Sequence, residues 1–157
     1  MNKLLSLFVG FFFLRNNKMI NTPKDIHNFI NLCIEIDKIP YIYGAAGIGK
    51  SSVVQQVADK RNLKLVDVRL SQTLPEDLLG IPQICTKTGK SVYIPFNTFP
   101  LEGDEVPEGY DGWLILLDEL SSASTSVMAA IYNLLLGRTV GNHKLHEKAF
   151  IVAAGNK

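Results

Sequence analysis

The segment YIYGAAGIGKSS, residues 41–52, constrains the fold of this chain more than any other part of the sequence. Residues 44–51 match the pattern GxxxxGK[ST], in which glycines let the backbone curl so that successive N–H groups converge on phosphate oxygens. The lysine adds a mobile positive charge, and the serine adds a hydroxyl that can ligate Mg²⁺. The pattern requires a strand before it and a helix after it. We therefore predict a phosphate-binding loop formed by Gly44, Ala45, Ala46, Gly47, Ile48, Gly49, Lys50, Ser51 and Ser52.

The rest of the sequence alternates helix and strand patterns. Helices are predicted over residues 23–36, 50–61, 74–80 and 124–137, and strands over residues 39–43, 63–70, 113–117 and 149–156, with a hairpin and loops over residues 81–112. Gly137 is expected to end the last helix. The strand at 113–117 is apolar throughout, which is typical of parallel strands buried on both faces. The sequence thus predicts an α/β three-layer sandwich with a mostly parallel sheet.

Polar side chains follow the ends of two predicted strands. Asp118 and Glu119 end the apolar strand, and Asn156 ends the last one. Ligands of such sheets bind beyond the carboxyl ends of the strands. At a nucleotide site, Asp118 would hold the water shell of the metal, Glu119 would orient or activate the attacking water, and the Asn156 amide would contact the γ-phosphate or that water. Adjacent strand residues point to opposite faces, so both acids can serve one site only if the chain turns there.

Composition argues against several other classes of protein. The chain has 157 residues, which suits one domain, and a formal net charge of +1, so no nucleic-acid partner is expected. Cys33 and Cys85 lie far apart without metal-ligand spacing, and we interpret them as reduced thiols of a cytoplasmic protein. A structural metal is not expected.

The N-terminus differs from the rest of the chain. An apolar run from Leu4 to Leu14 follows a lysine, but it is shorter than the roughly 20 residues that a helix needs to span a bilayer. No small-residue cleavage site follows it. We expect residues 1–18 to be an apolar extension or short anchor without a membrane-spanning role, and residues 19–157 to form the nucleotide-binding domain.

Five segments in this order and spacing resemble the MoxR-type branch of the AAA+ ATPases: GAAGIGKS, LPEDLLGIPQ, WLILLDELSSAS, MAAIYNLLLGRTVGNHKL and IVAAGNK. The resemblance covers about residues 19–157. It implies a P-loop NTPase fold that uses ATP and Mg²⁺. It places Lys50 and Ser51 in Walker A, Asp118 and Glu119 in Walker B, and Asn156 at sensor 1. It also implies that Lys50, Glu119 and Asn156 are catalytic and that Ser51 and Asp118 hold Mg²⁺.

The resemblance further implies a ring of AAA+ subunits, usually hexameric, that couples ATP hydrolysis to remodelling of a protein partner, often one with a von Willebrand factor A domain. In this family the arginine finger, the fifth core strand and the helical lid follow sensor 1. We therefore expect a truncated core that lacks the fifth strand and the lid and is a poor ATPase by itself. With the family's strand order 5-1-4-3-2, the strand at 39–43 would lie at an unpaired edge. Arg138 could face the nucleotide of a neighbouring subunit.

Two other functions fit the sequence. One is a P-loop phosphotransferase for a small acceptor, although no acceptor-binding pattern of arginines is visible. The other is a truncated fragment that binds nucleotide or a partner without turnover. Product analysis would identify the first, and phosphate release would separate the second from an ATPase. No guanine-reading motif stands out, and ATP is preferred over GTP because of the family resemblance.

Overall fold

The computed structural model of the chain describes residues 22–156, and the extension expected at residues 1–18 lies outside this range. The helices are α1 (Pro23–Glu35), α2 (Lys50–Lys60), α3 (Pro75–Leu79) and α4 (Thr125–Gly137). The strands are β1 (Tyr41–Gly44), β2 (Leu63–Arg69), β3 (Ile81–Ile84), β4 (Ser91–Ile94), β5 (Gly112–Asp118), β6 (Thr139–Val140), β7 (His143–Lys144) and β8 (Ala149–Asn156). A 3₁₀ turn, Leu120–Ser122, lies between β5 and α4. None of the helices in the described range is long and apolar enough to cross a membrane.

Four strands form a parallel sheet in the order β1-β8-β5-β2. Parallel neighbours need crossover connections, and the helices supply them. The register aligns Gly44 of β1 with Asn156 of β8, and Arg69 of β2 with Asp118 of β5. All four strands therefore point their carboxyl ends at the same edge of the sheet, which is where this kind of fold binds ligands.

The core consists of two apolar clusters, one on each face of the sheet. β5 supplies both because successive side chains of a strand point to opposite faces. Leu114 and Leu116 pack in the cluster that includes residues of α1 and α2, whereas Ile115 and Leu117 pack in the cluster that includes residues of α4. All four side chains have no exposed surface. Helices therefore cover the sheet on both faces, and the predicted three-layer α/β sandwich is confirmed.

The start of α1 follows from its sequence. Thr22 caps the helix by accepting a hydrogen bond from the backbone N–H of Asp25, and Pro23 occupies the first turn, where its missing N–H costs nothing. Ile30 and Ile34 are buried and pack in the same cluster as Val54 and Val57 of α2. These contacts hold α1 against the helix that follows the glycine loop.

The two small hairpins are antiparallel and lie outside the main sheet. β3 and β4 form the hairpin predicted within residues 81–112. β6 and β7 form a second hairpin that directly follows α4. As predicted, α4 ends at Gly137, and Arg138 after it takes the left-handed conformation, with φ of 50°. The guanidinium of Arg138 donates to the carbonyl of Ala149 and lies 3.8 Å from the carboxylate of Asp37.

Candidate functional site

The glycine-rich loop has a backbone that side chains would disturb. Gly47 and Gly49 have φ of 77° and 86°, a region that L-residues other than glycine rarely adopt. A Cβ on Gly44 would lie 2.6 Å from Cδ1 of Ile48. The exposed Ile48 side chain could move away from such a Cβ, so the shape of the loop requires glycine mainly at positions 47 and 49, where the chain passes from β1 into α2.

The first turn of α2 presents free backbone donors. The first N–H groups of any helix have no partner within the helix. The N-cap is Gly49, which has no side chain to satisfy them. Among the hydrogen bonds of residues 22–156, none uses a backbone N–H of residues 46–52 as its donor. These donors and the positive end of the helix dipole make the loop suited to bind an anion.

Among residues 22–156, Lys50 is the one charged residue that is buried, with 6% of its surface exposed. Its Nζ donates to the carbonyl oxygens of Gly44 and Ala45, at 3.1 and 2.9 Å, and to Oδ1 of Asn156 at 2.9 Å. An ammonium group has three N–H donors, so each has an acceptor. The contact with Asn156 is possible because Asn156 pairs with Gly44 across the sheet. Lys50 and Asn156, 106 residues apart, thus meet at the start of the loop.

Ser51 and Asp118 meet beside this lysine. The Ser51 hydroxyl donates to Oδ2 of Asp118 at 2.9 Å. The other carboxylate oxygen, Oδ1, accepts the backbone N–H of Glu119 at 2.7 Å. The contact places a hydroxyl and a carboxylate side by side, and oxygen ligands of this kind suit Mg²⁺.

Glu119 interrupts the alternation of the strand. Its backbone is left-handed, with φ of 58° and ψ of 34°, and the 3₁₀ turn begins after it. The Ser71 hydroxyl, which follows β2, donates to Oε2 of Glu119. The chain therefore turns directly after Asp118, as two adjacent acids need if they are to serve one site. Asp118 contacts Ser51, and Glu119 contacts Ser71.

A second serine, Ser121, links the 3₁₀ turn to the tip of β8. Its Oγ accepts the backbone N–H of Asn156 at 3.0 Å and donates to the carbonyl oxygen of the same residue at 3.1 Å. Neither Ser71 nor Ser121 could be selected from the sequence, because a single serine in a loop has no pattern that distinguishes it. The one available signal for Ser121 is its position two residues after the acidic pair.

An open groove of about 430 Å³ lies beside the carboxyl end of β2. Asp67, Arg69, Leu78 and Phe99 are among its lining residues, and no residue of the glycine loop lines it. Burial raises the pKa of Asp67, the charges of Asp118 and Glu119 raise it further, and the nearby Arg69 lowers it. The groove is therefore separate from the phosphate loop but electrostatically close to the acidic pair.

The structure brings together Lys50, Ser51, Asp118 and Asn156, and Glu119 lies directly after Asp118. The roles predicted for them remain predictions. Ser52 is exposed on the first turn of α2. Arg138 lies apart from this group, with its guanidinium held by its own chain.

A parallel α/β sheet with a glycine loop between its first strand and the following helix, and with acids and an amide at the neighbouring strand ends, defines a P-loop nucleotide-binding core. The profile of the AAA domain (dynein-related subfamily) matches residues 41–152, which is more than half of the chain. The chain belongs to this family.

Two solved structures are similar to the chain. A predicted ATPase from Cytophaga hutchinsonii, solved at 2.00 Å resolution, shares 19% identity with a TM-score of 0.55; the match covers 83% of this chain and 37% of that one. NtrX from Brucella abortus shares 16% identity with a TM-score of 0.48, over 83% of this chain and 29% of that one. The chain thus spans well under half the length of either structure. No match was found among curated proteins.

Proposed function

We propose that this chain binds ATP with Mg²⁺ and forms the hydrolytic core of an AAA+ ATPase of the MoxR type. The observation that carries the proposal is the pair of side-chain contacts Lys50–Asn156 and Ser51–Asp118. They join the phosphate loop to the tips of β8 and β5, so groups suited to phosphate, metal and water share one edge of the sheet. The AAA domain match, which extends over this loop and the acidic pair, supports the same function.

The loop would bind the phosphates through its backbone. The free N–H groups of residues 46–52 would donate to phosphate oxygens, and the Lys50 ammonium would neutralise part of their charge. The Nζ of Lys50 lies at the start of the loop, where it contacts the carbonyls of Gly44 and Ala45 and would exchange at least one partner for phosphate. Between Gly44 and Gly49 no side chain is needed for recognition, which explains why this stretch holds only glycine, alanine and one isoleucine.

The residues at the end of β5 fit a magnesium ion. Ser51 Oγ and Asp118 Oδ2 are 2.9 Å apart, and both are hard oxygen donors. The ion when bound would neutralise charge on the β- and γ-phosphates. Ser51 would ligate it directly, and Asp118 would hold its water molecules.

Glu119 and Asn156 would act on the attacking water. A carboxylate can accept the proton of water as a general base. The left-handed backbone at Glu119 breaks the strand alternation next to Asp118, which lets two adjacent acids serve one site. The Asn156 amide, held against Lys50, would contact the γ-phosphate or the same water.

Assembly and partners are proposed from the family. We propose that the protein forms a ring, of hexameric type, that remodels a protein partner in the cytoplasm, with a von Willebrand factor A domain protein as one candidate. In such a ring a neighbouring subunit supplies an arginine to the transition state, which contributes a large rate factor. Mass measurement with and without Mg-ATP tests the assembly.

Replacement of the loop lysine tests the function directly. Lys50→Ala should abolish Mg-ATP binding, measured by titration with a fluorescent ATP analogue. Lys60→Ala is the matched control, because Lys60 ends the same helix and is exposed. Equal affinities of wild type and Lys50→Ala would refute the proposal. Release of free phosphate, as opposed to a phosphorylated small molecule, would exclude the phosphotransferase alternative.

A further inference from the structure

Ser121 makes an unusual pair of contacts with one residue of a different segment. Its single hydroxyl both accepts from the N–H and donates to the carbonyl oxygen of Asn156, at 3.0 and 3.1 Å. Such a reciprocal pair is what a neighbouring β-strand would normally provide. The side chain of Ser121 thus takes the place of backbone from a strand.

The sheet itself explains why a substitute is needed. The pairing of β5 with β8 ends at Leu117 and Ala153, whereas β8 continues to Asn156. Beyond Leu117, the partner of Ala153, the chain of β5 turns away from β8, because the backbone of Glu119 is left-handed. On its other side β8 is paired with β1 as far as Asn156. Ser121 therefore fastens the side of the β8 tip that β5 no longer reaches.

The turn that contains Ser121 is also joined to the acidic pair. Ser121 lies in the 3₁₀ turn whose cap is Glu119, and the N–H of Ser122 donates to the Glu119 carbonyl at 2.9 Å. Leu120, in the same turn, is buried in the core with 8% of its surface exposed. The turn is thus held in the core, and Ser121 extends that support to Asn156, whose side chain contacts Lys50.

We propose that Ser121 is a positioning residue that fixes the Asn156 amide relative to Glu119, so that both address the same water. The inference rests on the proposed ATPase function. Ser121 itself would touch neither nucleotide nor metal, and it would act through the backbone of Asn156. Its loss should therefore affect the catalytic step more than nucleotide binding.

The test compares Ser121→Ala, Ser121→Thr and the matched control Ser122→Ala in the full chain. Loss of this hydrogen-bonded support should lower kcat by roughly ten-fold, the size expected for one such contact, with the nucleotide Kd unchanged. Threonine retains the hydroxyl and should restore kcat. Ser122 is the neighbour of Ser121, and its own hydroxyl makes no hydrogen bond among the described residues. Alanine at position 122 should therefore cause no loss.

A spectroscopic readout covers the case in which the isolated chain turns over too slowly to measure. The backbone N–H proton of Asn156, which Ser121 accepts, should exchange with solvent faster in Ser121→Ala and stay protected in the threonine variant. The Asn156 side-chain resonance should shift on Mg-ATP addition in wild type and lose that response in the alanine variant.

The outcomes separate the two proposals. If wild type binds Mg-ATP and Ser121→Ala matches it in kcat, or in the Asn156 response where turnover is too slow, the positioning role is overturned and the ATPase proposal stands. An equal loss of binding and turnover in Ser121→Ala would also overturn it, since the residue would then support the whole site. If wild type binds no nucleotide, both proposals fall.

Discussion

The hydroxyl of Ser51 donates a hydrogen bond of 2.9 Å to the carboxylate of Asp118, across 67 residues of sequence. The first residue belongs to the opening turn of α2 and the second to the end of β5. The contact depends on the sheet order, because β8 lies between β1 and β5 and sets the spacing of the loop from the acidic pair.

Asp118→Asn should weaken the magnesium dependence of nucleotide binding. Asparagine keeps the size of the side chain but loses the charge that would hold the water shell of the metal. We expect the Mg²⁺ concentration for half-maximal ATP binding to rise by roughly 10- to 100-fold, as for other outer-sphere partners. A magnesium titration at fixed ATP measures this. Affinity for ATP without Mg²⁺ should not fall, and an unchanged magnesium midpoint would contradict the assignment of Asp118.

Glu119→Gln should separate binding from turnover. Glutamine is isosteric and can still accept the hydrogen bond from Ser71, but it cannot take a proton from water. Turnover should fall by about 100-fold or more, as for loss of a general base, with little change in nucleotide Kd. Single-turnover phosphate release is the measurement. Normal turnover would assign the base to another residue.

Gly47→Ala should damage the site more than the fold. Gly47 has φ of 77° and open space around it, and Gly89, in the β3–β4 hairpin, has φ of 67° and the same open surroundings. Alanine at either position costs about 1 kcal/mol of stability, because a Cβ disfavours the left-handed conformation. Urea unfolding should show similar losses for Gly47→Ala and Gly89→Ala. Nucleotide affinity should fall for the first variant alone, and a fall for both would indicate a global effect.

Asp67→Asn should stabilise the protein at neutral pH. Burial and the charges of Asp118 and Glu119 raise the pKa of Asp67 in the folded state. The folded protein therefore binds this proton more tightly than the unfolded chain, so stability is lost as pH rises from the unfolded pKa, about 3.9, through the folded one. The variant should gain a modest amount of stability at pH 7 and none below the unfolded pKa. Urea unfolding across pH measures it, with Glu105→Gln as the control for loss of a surface charge.

Cys85 should react faster with iodoacetamide than Cys33. Hydrogen bonds from the Thr88 side chain and from the N–H groups of Thr88 and Lys87 lower the pKa of Cys85, and its thiol is accessible. Burial raises the pKa of Cys33, which is 2% exposed. Mass spectrometry of peptides gives both rates in one sample. Thr88→Ala should slow the reaction of Cys85 and leave Cys33 unchanged; equal rates at the two cysteines would contradict the assignment.

The sequence was sufficient for the regular elements because each has a repeated pattern. The helical spacing of Val53, Val54, Val57 and Ala58 gave the buried face of α2, and the apolar run Leu114–Leu117 gave a strand buried on both faces. The order of strands and helices then placed Asp118 and Asn156 at one edge of the sheet. These inferences need only local pattern and the rule for parallel sheets.

Contacts between single residues could not be predicted in this way. Ser71 and Ser121 meet partners 48 and 35 residues away, and nothing in their local sequence indicates either contact. The left-handed backbone of Arg138, directly after α4, has no local sequence signal either, since glycine is the usual residue in that conformation.

The three acceptors of Lys50 also couple phosphate binding at the loop to the release of the Asn156 side chain. Its ammonium has no spare proton to offer, since Gly44, Ala45 and Asn156 take all three. An incoming polyphosphate must displace at least one of them, so the measured affinity is a difference between old and new partners. If the bond to Asn156 is the one exchanged, the carboxamide oxygen is released at that moment. Loading of the loop would then prepare the amide to receive the water.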